Sequence, residues 1–161
     1  MTINVGDKLP EATFMTMGDE GPAAMTTGAL TADKKVVVFA VPGAFTPTCN
    51  NNHLPGFVEH ADEMREKGVD DIAVIAVNDV FVMDAWSGVT GGAAGIKFLA
   101  DPDAAFAKAI GMDLDLTAHG LGVRSKRYAM VLDNGTVTTF NLEDNPGQAV
   151  DSSAAKLLES L

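Results

Sequence analysis

The single cysteine of this chain, Cys49, is the residue best suited to nucleophilic chemistry. Only the thiolate form of a cysteine is a nucleophile, and a lone cysteine is often just a small buried apolar residue. Thr46 precedes Cys49 by three residues, the offset at which one helical turn brings two side chains together. A hydroxyl there can donate a hydrogen bond to a thiolate or to a bound oxygen species. The pair therefore suggests a reactive sulfur beside a hydrogen-bond donor.

This pair needs a nearby cation to keep the sulfur ionised. A free thiol with a pKa near 8.5 is only about 3% ionised at pH 7. Ionising ~90% of it requires ~3.4 kcal/mol of preferential thiolate stabilisation, whereas a helix N-terminus contributes only about 0.3–1 kcal/mol. A nearby cation must supply much of the remainder. The candidates are Arg127 and Arg124, which lie in a basic cluster, Arg124-Ser125-Lys126-Arg127, whose Lys126 fits a solvated strand edge.

The segments on either side of Cys49 predict how it is held. Residues 35–41 form a continuous apolar run, typical of a central strand that is buried on both faces. A helix is predicted from about Thr48 to Lys67, with apolar residues on one face, and Pro55 should kink it. Cys49 thus lies where a buried strand turns into a helix. His53, one turn further on, either tunes the surroundings of the thiol or packs at the surface.

The remaining segments alternate between strand and helix patterns. Strands are predicted at residues 12–17, 23–26, 72–77, 96–100, 126–132 and 136–142. Helical segments are predicted at residues 27–33, 80–89 and 101–110, with a C-terminal helix capped by Asp151 or Ser152. Residues 111–123 and the glycines 88, 91, 92 and 95 suggest loops. The pattern predicts one α/β domain over residues 1–161, with a central mixed β-sheet flanked by helices.

Composition excludes several kinds of partner. The net charge is −11, from 11 basic and 22 acidic residues, so nucleic acid and anionic membrane surfaces would be repelled. No apolar run is long enough for a membrane span, and the N-terminus does not resemble a signal peptide. A single cysteine fits a reducing compartment, so we expect a cytoplasmic protein. Asp79 and Asp101 are better explained as helix caps than as metal ligands, and no metal site is expected.

The residues around Cys49 also resemble a known family. Pro42-Gly43-Ala44-Phe45-Thr46-Pro47-Thr48-Cys49 resembles the motif Pro-x-x-x-Thr-x-x-Cys, which holds the peroxide-reducing cysteine of peroxiredoxins. Residues 53–57, 77–83 and 120–128 are similar to the peroxiredoxin-5 (type II) group. The resemblance covers essentially the whole chain, in order. It implies a thioredoxin-like fold with an N-terminal β-hairpin extension, and a homodimer packed near the active-site loop.

The resemblance also implies roles for individual residues. Cys49 attacks the peroxide, Thr46 orients the peroxide and the thiolate, Pro42 shields the cysteine, and Arg127 is the active-site arginine. Gly43 and Arg124 are weaker, supporting candidates for substrate binding. The substrates implied are hydrogen peroxide and small organic hydroperoxides, with no prosthetic cofactor.

The sequence departs from many family members because it has no second, resolving cysteine. Cys49 therefore cannot form a disulfide within the chain, and a 1-Cys mechanism with an external thiol is expected. Glutathione with glutaredoxin is the preferred reductant, and thioredoxin is the alternative. A peroxide sensor that relays oxidation through Cys49 to a partner remains open. A dithiol reductase is disfavoured because Thr46 occupies the first cysteine position of a Cys-x-x-Cys motif.

Three aromatic residues have a predicted location. Phe45, Phe81 and Trp86 are expected in the core, although some of them could instead line an interface.

Overall fold

The strand predicted before Cys49 is the centre of the fold. In a computed structural model of the protein, which describes residues 1–90 and 92–161, strand β3 spans Lys35–Val41, as predicted. Every residue of this strand except Lys35 is buried. This burial arises because other elements pack on both faces of the sheet, which explains the continuous apolar run.

The structure defines the other elements as follows. In the described residues the strands are β1 (Thr13–Gly18), β2 (Gly21–Thr26), β3 (Lys35–Val41), β4 (Asp71–Ala76), β5 (Lys97–Ala100), β6 (Asp113–Leu116), β7 (Gly122–Ser125), β8 (Tyr128–Asp133) and β9 (Thr136–Leu142). The α-helices are α1 (Thr27–Thr31), α2 (Leu54–Glu66), α3 (Val80–Val89), α4 (Ala105–Ala109) and α5 (Ala154–Leu158). A π-helical segment, Cys49–His53, precedes α2, and short 3-10 turns are found at Gly92–Ala94 and Thr117–His119.

The sheet is mixed. Its strand order in the described residues is β2-β1-β5-β4-β3-β8-β9, and β6 pairs separately with β7. Strands β3, β4 and β5 run parallel to one another, whereas β8 is antiparallel to β3. The hairpin β1-β2 extends the sheet through pairing of β1 with β5. The predicted α/β fold with a central mixed sheet and an N-terminal hairpin is confirmed.

The register of β3 against β8 determines where Arg127 lies. Ala40 pairs with Tyr128, so the residue before Tyr128 lies beside the carboxyl end of β3. The loop that carries Cys49 begins at this same end, directly after Val41. Antiparallel pairing thus brings together two segments that are 78 positions apart in the chain.

Both faces of the sheet are covered. On one face, alternate residues of β3 and β4 pack against apolar side chains of α2, α3 and α5. On the other, the intervening residues pack against α1, α4 and the N-terminal segment. On the first face, the rings of Phe39 and Phe57 stack with their centroids 3.9 Å apart, which fixes α2 against β3.

The helix after Cys49 begins with a wider turn than predicted. The N–H of Leu54 donates to the carbonyl of Cys49, five residues earlier, as in a π-helix. Regular α-helix begins at Leu54, followed by Pro55 in the first turn. Proline is tolerated at the start of regular α-helix because its fixed φ suits a helical first turn. The irregularity predicted at Pro55 is therefore a π-helical segment on its N-terminal side.

Two predictions about the second half of the chain are wrong. Residues 111–123 are not simply a loop, because they contain β6 and the first part of β7, which pair with Leu114 opposite Arg124. The alternation Asp-Leu-Asp-Leu in β6 is a period-two strand signal. The helix predicted at residues 101–110 begins only at Ala105. Ala104 is left-handed, with φ +59°, which separates Asp101 from the helix.

Smaller differences concern the ends of elements. Asp101 still caps α4, because its carboxylate accepts hydrogen bonds from the N–H groups of Phe106 and Ala107. The cap of α5 is Ser153, rather than Asp151 or Ser152. Among the glycines predicted to form a loop, Gly88 belongs to α3, and position 91 lies outside the described residues. Within residues 1–90 and 92–161, no helix has the length and apolar character needed to cross a membrane.

Candidate active site

Cys49 is the first residue of the π-helical segment and is fully buried. Its sulfur has two side-chain neighbours within hydrogen-bond distance. Thr46 Oγ1 lies 2.8 Å from the Cys49 sulfur, and Arg127 Nη2 lies 3.0 Å from it. The structure therefore brings together the nucleophile, the hydroxyl and the cation that the sequence singled out.

The Thr46 hydroxyl can serve both protonation states of the sulfur. Besides Cys49 Sγ, it lies 2.8 Å from the carbonyl oxygen of Gly43. A neutral thiol can donate to the hydroxyl oxygen, while the hydroxyl proton goes to the Gly43 carbonyl. A thiolate can only accept, so the hydroxyl proton then turns to the sulfur. One contact thus adapts to a change of charge without movement of heavy atoms.

Arg127 is held by all three nitrogens of its guanidinium. Nε donates to the carbonyl of Pro146 at 3.1 Å, and Nη1 lies 3.0 Å from His53 Nδ1. Nη2 is thereby directed at Cys49 Sγ. The side chain is only 2% exposed, so little water competes for these donors. A guanidinium has donors and no acceptor, so its bond to the sulfur is strongest when the sulfur is a thiolate.

His53 is a buried neighbour of Arg127, which decides between the two interpretations left open by the sequence. His53 Nε2 lies 2.8 Å from the carbonyl oxygen of Ser152. A carbonyl only accepts and a guanidinium only donates, so Nε2 carries the proton and Nδ1 is the acceptor for Arg127. Burial, together with the charge of Arg127, lowers the pKa of His53 from 6.5 to about 3. The imidazole is therefore neutral at physiological pH.

The other predicted residues lie around this centre without bonding to the sulfur. Pro42 directly follows β3 and is buried. Arg124 donates to the carbonyls of Leu121 and Val77. A Cβ added at Gly43 would lie 3.0 Å from Arg124 Nη1, so glycine is needed for this close approach. Arg124 therefore braces the loop behind Gly43, and the sulfur-contacting arginine is Arg127.

A small cavity adjoins Thr46 and Arg127. Its volume is about 210 Å³, and its other walls are largely apolar. They include Pro47, Leu116, Leu121 and Pro146. Such a cavity admits a small molecule with an apolar substituent and directs it to the hydroxyl and the guanidinium.

Comparison with known proteins identifies the family. A model of the Redoxin family matches residues 4–158. Peroxiredoxin-2E-2, chloroplastic, from Oryza sativa subsp. japonica is 48% identical over 165 residues, which span 99% of this chain and 73% of the relative. The chain belongs to the peroxiredoxin family.

Solved peroxiredoxin structures share its fold. Reduced Prx3 from Vibrio vulnificus, in complex with hydrogen peroxide, is 48% identical, with a TM-score of 0.93 over 99% of each chain. Peroxiredoxin 5 from Alvinella pompejana is 32% identical, with a TM-score of 0.87 over 98% of this chain and 97% of that one. The predicted peroxiredoxin of the type II group, with its thioredoxin-like fold, is confirmed. This peroxiredoxin is a thiol peroxidase, and hence an oxidoreductase.

The chemistry of a peroxiredoxin requires no prosthetic group. Across the described ranges, no three histidine, cysteine or acidic side chains are grouped in a way that could hold a metal ion. His60 Nδ1 lies 3.2 Å from Glu63 Oε2.

Two aspects of this peroxiredoxin site were missed or misjudged from the sequence. The carbonyls of Pro146 and Ser152 orient Arg127 and His53, and no side-chain pattern marks a backbone acceptor. Of the aromatic residues expected in the core, Trp86 is buried, but the side chains of Phe45 and Phe81 are exposed. The ring centroids of Phe45 and Trp86 are 6.4 Å apart, so Phe45 covers the edge of the core from outside.

Proposed function

We propose that Cys49 is the peroxide-reducing cysteine of this peroxiredoxin. The observation that carries the proposal is the convergence of Thr46 Oγ1 and Arg127 Nη2 on one buried sulfur. Pro42 shields the thiolate from water, and Gly43 leaves room for the loop to close against Arg124. These roles suit a nucleophile that must be charged, oriented and protected before it reacts.

The reaction is a displacement at oxygen. The Cys49 thiolate attacks the terminal oxygen of the hydroperoxide, an S–O bond forms and the O–O bond breaks. The leaving alkoxide or hydroxide takes a proton and departs as alcohol or water, while Cys49 becomes a sulfenic acid. Negative charge moves from sulfur to the leaving oxygen during this step. Thr46, Arg127 and the N–H of Cys49 are donors that stabilise it at both ends.

The substrates we propose are hydrogen peroxide and small organic hydroperoxides. The support is the cavity of about 210 Å³ beside Thr46 and Arg127, which has polar donors at one end. Its walls from Leu116, Leu121 and Pro47 suit a short alkyl group. A bulky hydroperoxide would exceed this volume and should react more slowly.

We further propose a 1-Cys cycle with an external thiol. The support is the single cysteine of the sequence. Glutathione would attack the sulfenic acid, which releases water and leaves a Cys49–glutathione disulfide. A second thiol, delivered by glutaredoxin or glutathione, would then release the thiol of Cys49 and carry away the disulfide. Thioredoxin is the alternative donor.

Mass spectrometry tests this cycle. One equivalent of peroxide followed by glutathione should add one glutathione to Cys49, and the adduct should disappear with glutaredoxin. Turnover with thioredoxin and no glutathione adduct would remove glutathione from the scheme. Sustained turnover with any thiol donor supports a peroxidase, whereas a single oxidation without recycling would favour a peroxide sensor that acts on a partner protein.

We also propose that the protein acts as a homodimer through the surface near Cys49. The support is the exposure of Phe45 and Phe81, at 49% and 65%, because exposed aromatic residues are typical of interfaces. Phe81→Glu should convert the dimer to a monomer in analytical ultracentrifugation. A monomeric wild-type protein at micromolar concentration would exclude this arrangement.

Peroxide consumption by matched variants tests the assignment of Cys49. Cys49→Ser should be inactive, and Arg127→Ala should lose orders of magnitude in rate while staying folded. Arg65→Ala, which removes a partly exposed arginine bonded to Asp62 and to the Ala94 carbonyl, is the matched control and should retain wild-type activity. A Cys49→Ser protein that still removes peroxide would overturn the proposal.

A further inference from the structure

Glu143 is a buried acidic residue outside the predicted site. It follows β9, and its side chain is 6% exposed. In the part of the chain that the structure describes, no lysine, arginine or histidine nitrogen lies within 4.0 Å of its carboxylate. Its Oε1 instead accepts hydrogen bonds from Val150 N, from Ser152 N at 2.8 Å and from Ser152 Oγ at 3.0 Å. A buried carboxylate without a cation is costly, so it calls for an explanation.

The contacts of Glu143 close the connection between β9 and α5, residues 143–152. This segment supplies three backbone carbonyls to residues around Cys49. Pro146 O accepts from Arg127 Nε, Gly147 O accepts from Thr48 Oγ1, and Ser152 O accepts from His53 Nε2. The carboxylate of Glu143 therefore fixes both ends of the segment that provides these acceptors.

The same residues form a closed ring of hydrogen bonds. Ser152 N donates to Glu143 Oε1, and His53 Nε2 donates to Ser152 O. Arg127 Nη1 donates to His53 Nδ1, and Glu143 N donates at 3.0 Å to Arg127 O. Each residue of the ring thus contacts the next one. The guanidinium that faces the Cys49 sulfur is one member of this ring.

We propose that Glu143 is a positioning residue for Arg127: it holds the Ser152 carbonyl that, together with the donor from Arg127, selects the His53 tautomer, and that tautomer fixes the guanidinium against the sulfur. The inference rests on the proposed roles of Cys49 and Arg127 in peroxide reduction. Glu143 does not bond to the sulfur, and its carboxylate acts through the segment 143–152, which it holds at Val150 and Ser152.

The tautomer of His53 links the Ser152 carbonyl to the position of Arg127. If the Ser152 carbonyl shifts, Nε2 of His53 loses its acceptor, and the proton can reside on Nδ1 instead. Nδ1–H then faces Arg127 Nη1, which is also a donor, so the two groups repel each other. The guanidinium must turn away, and Nη2 leaves its position 3.0 Å from Cys49 Sγ. A displacement of about 1 Å in such a group lowers rates by up to ~100-fold.

Three substitutions at Glu143 distinguish the effect of side-chain length from the effect of charge. Glu143→Gln keeps the length and one acceptor oxygen, whereas Glu143→Asp keeps the charge but is one methylene too short to reach Ser152. We expect the rate constant for hydrogen peroxide to fall less than about threefold in the Gln variant. It should fall about 10- to 100-fold in the Asp variant and in Glu143→Ala. Glu159→Gln and Glu159→Asp, on an exposed residue paired with Lys156, are matched controls and should leave it unchanged.

The second readout is the tautomer of His53, observed by long-range ¹H–¹⁵N correlation NMR of the reduced protein and assigned with His53→Gln. Wild type and Glu143→Gln should show the Nε2–H form. Glu143→Asp and Glu143→Ala, if folded, should show a mixture with the Nδ1–H form. A merely structural weakening of the segment would lower the melting temperature without changing the tautomer.

The proposal requires both results. It is overturned if Glu143→Asp keeps the wild-type rate constant, if Glu143→Gln loses as much rate as Glu143→Asp, or if His53 stays in the Nε2–H form in the folded Asp variant. Glu143→Asp decides the matter even if Glu143→Ala does not fold. Failure of the proposed function is separately visible as an inactive wild type or an active Cys49→Ser, and the tautomer measurement does not depend on activity.

Discussion

Thr46→Val isolates the contribution of one hydroxyl to peroxide reduction. Valine has the same β-branched shape, so it replaces Thr46 Oγ1 with a methyl group and keeps the packing of the loop. The substitution removes the 2.8 Å hydrogen bond to Cys49 Sγ, together with the bond to the Gly43 carbonyl. Hydrogen bonds to charged groups contribute about 1.5–3 kcal/mol. At about 1.4 kcal/mol per factor of ten, the rate constant should fall about 10- to 150-fold.

Stopped-flow fluorescence is a suitable assay, because Trp86 is the one tryptophan and its Nε1 donates to Asn50 Oδ1, next to Cys49 in the chain. Reduced protein is mixed with excess hydrogen peroxide, and the slope of the observed rate against concentration gives the second-order rate constant. Thr46→Ser retains the hydroxyl and should stay within about threefold of wild type. Thr138→Val removes a hydroxyl on β9, which bonds to Val131 O, and serves as a control that should keep the wild-type rate. A Thr46→Val variant as fast as Thr46→Ser would refute the reasoning.

Four further predictions concern stability and loop geometry. His53 has a folded-state pKa of about 3, below its ordinary 6.5, so the unfolded chain binds this proton first as the pH falls. The free energy of unfolding should therefore decrease as the pH falls from about 6.5 towards 3, by at most about 1.4 kcal/mol per pH unit. Urea titrations at several pH values measure this slope. His53→Gln should flatten it, whereas the control His60→Gln should not. Gly43→Ala should lower both the melting temperature and the peroxide rate, because its Cβ would press on a hydrogen-bonded guanidinium 3.0 Å away. Gly88→Ala, which meets nothing within 4 Å in a helix, should instead stabilise the protein by about 0.5–1 kcal/mol. Phe57→Ala, which removes a ring stacked on the central strand, should cost about 3–5 kcal/mol in the same titrations.

The accuracy of the sequence-based predictions followed the strength of the local signal. Strand β3 was predicted with its correct bounds because burial on both faces leaves an uninterrupted apolar run. The hairpin β6-β7 was missed because its four-residue strands are mostly exposed or half-buried, so they lack the apolar run that marked the equally short β5. The start of α4 was missed because Ala104 adopts a left-handed conformation that alanine rarely takes.

The residues of the candidate site were also predicted best where the sequence signal was local. Cys49 and Thr46 belong to one local segment, so their spacing alone was enough to bring them together. The need for a cation named Arg127 and Arg124 alike, and only the family resemblance favoured Arg127. In the structure, the register of β8 on β3, with Tyr128 opposite Ala40, places Arg127 at the sulfur.

The sequence by itself determined the nucleophile, the hydroxyl beside it and the need for a positive charge. Residue type fixes the chemistry of a side chain, and a short spacing in the sequence fixes which side chains are neighbours. Only the tertiary structure decided how the charged guanidinium is oriented. Arg127 and His53 are oriented by the carbonyls of Pro146 and Ser152. Every residue carries a carbonyl, so none is distinguishable in a sequence until the chain has folded and one of them meets a donor.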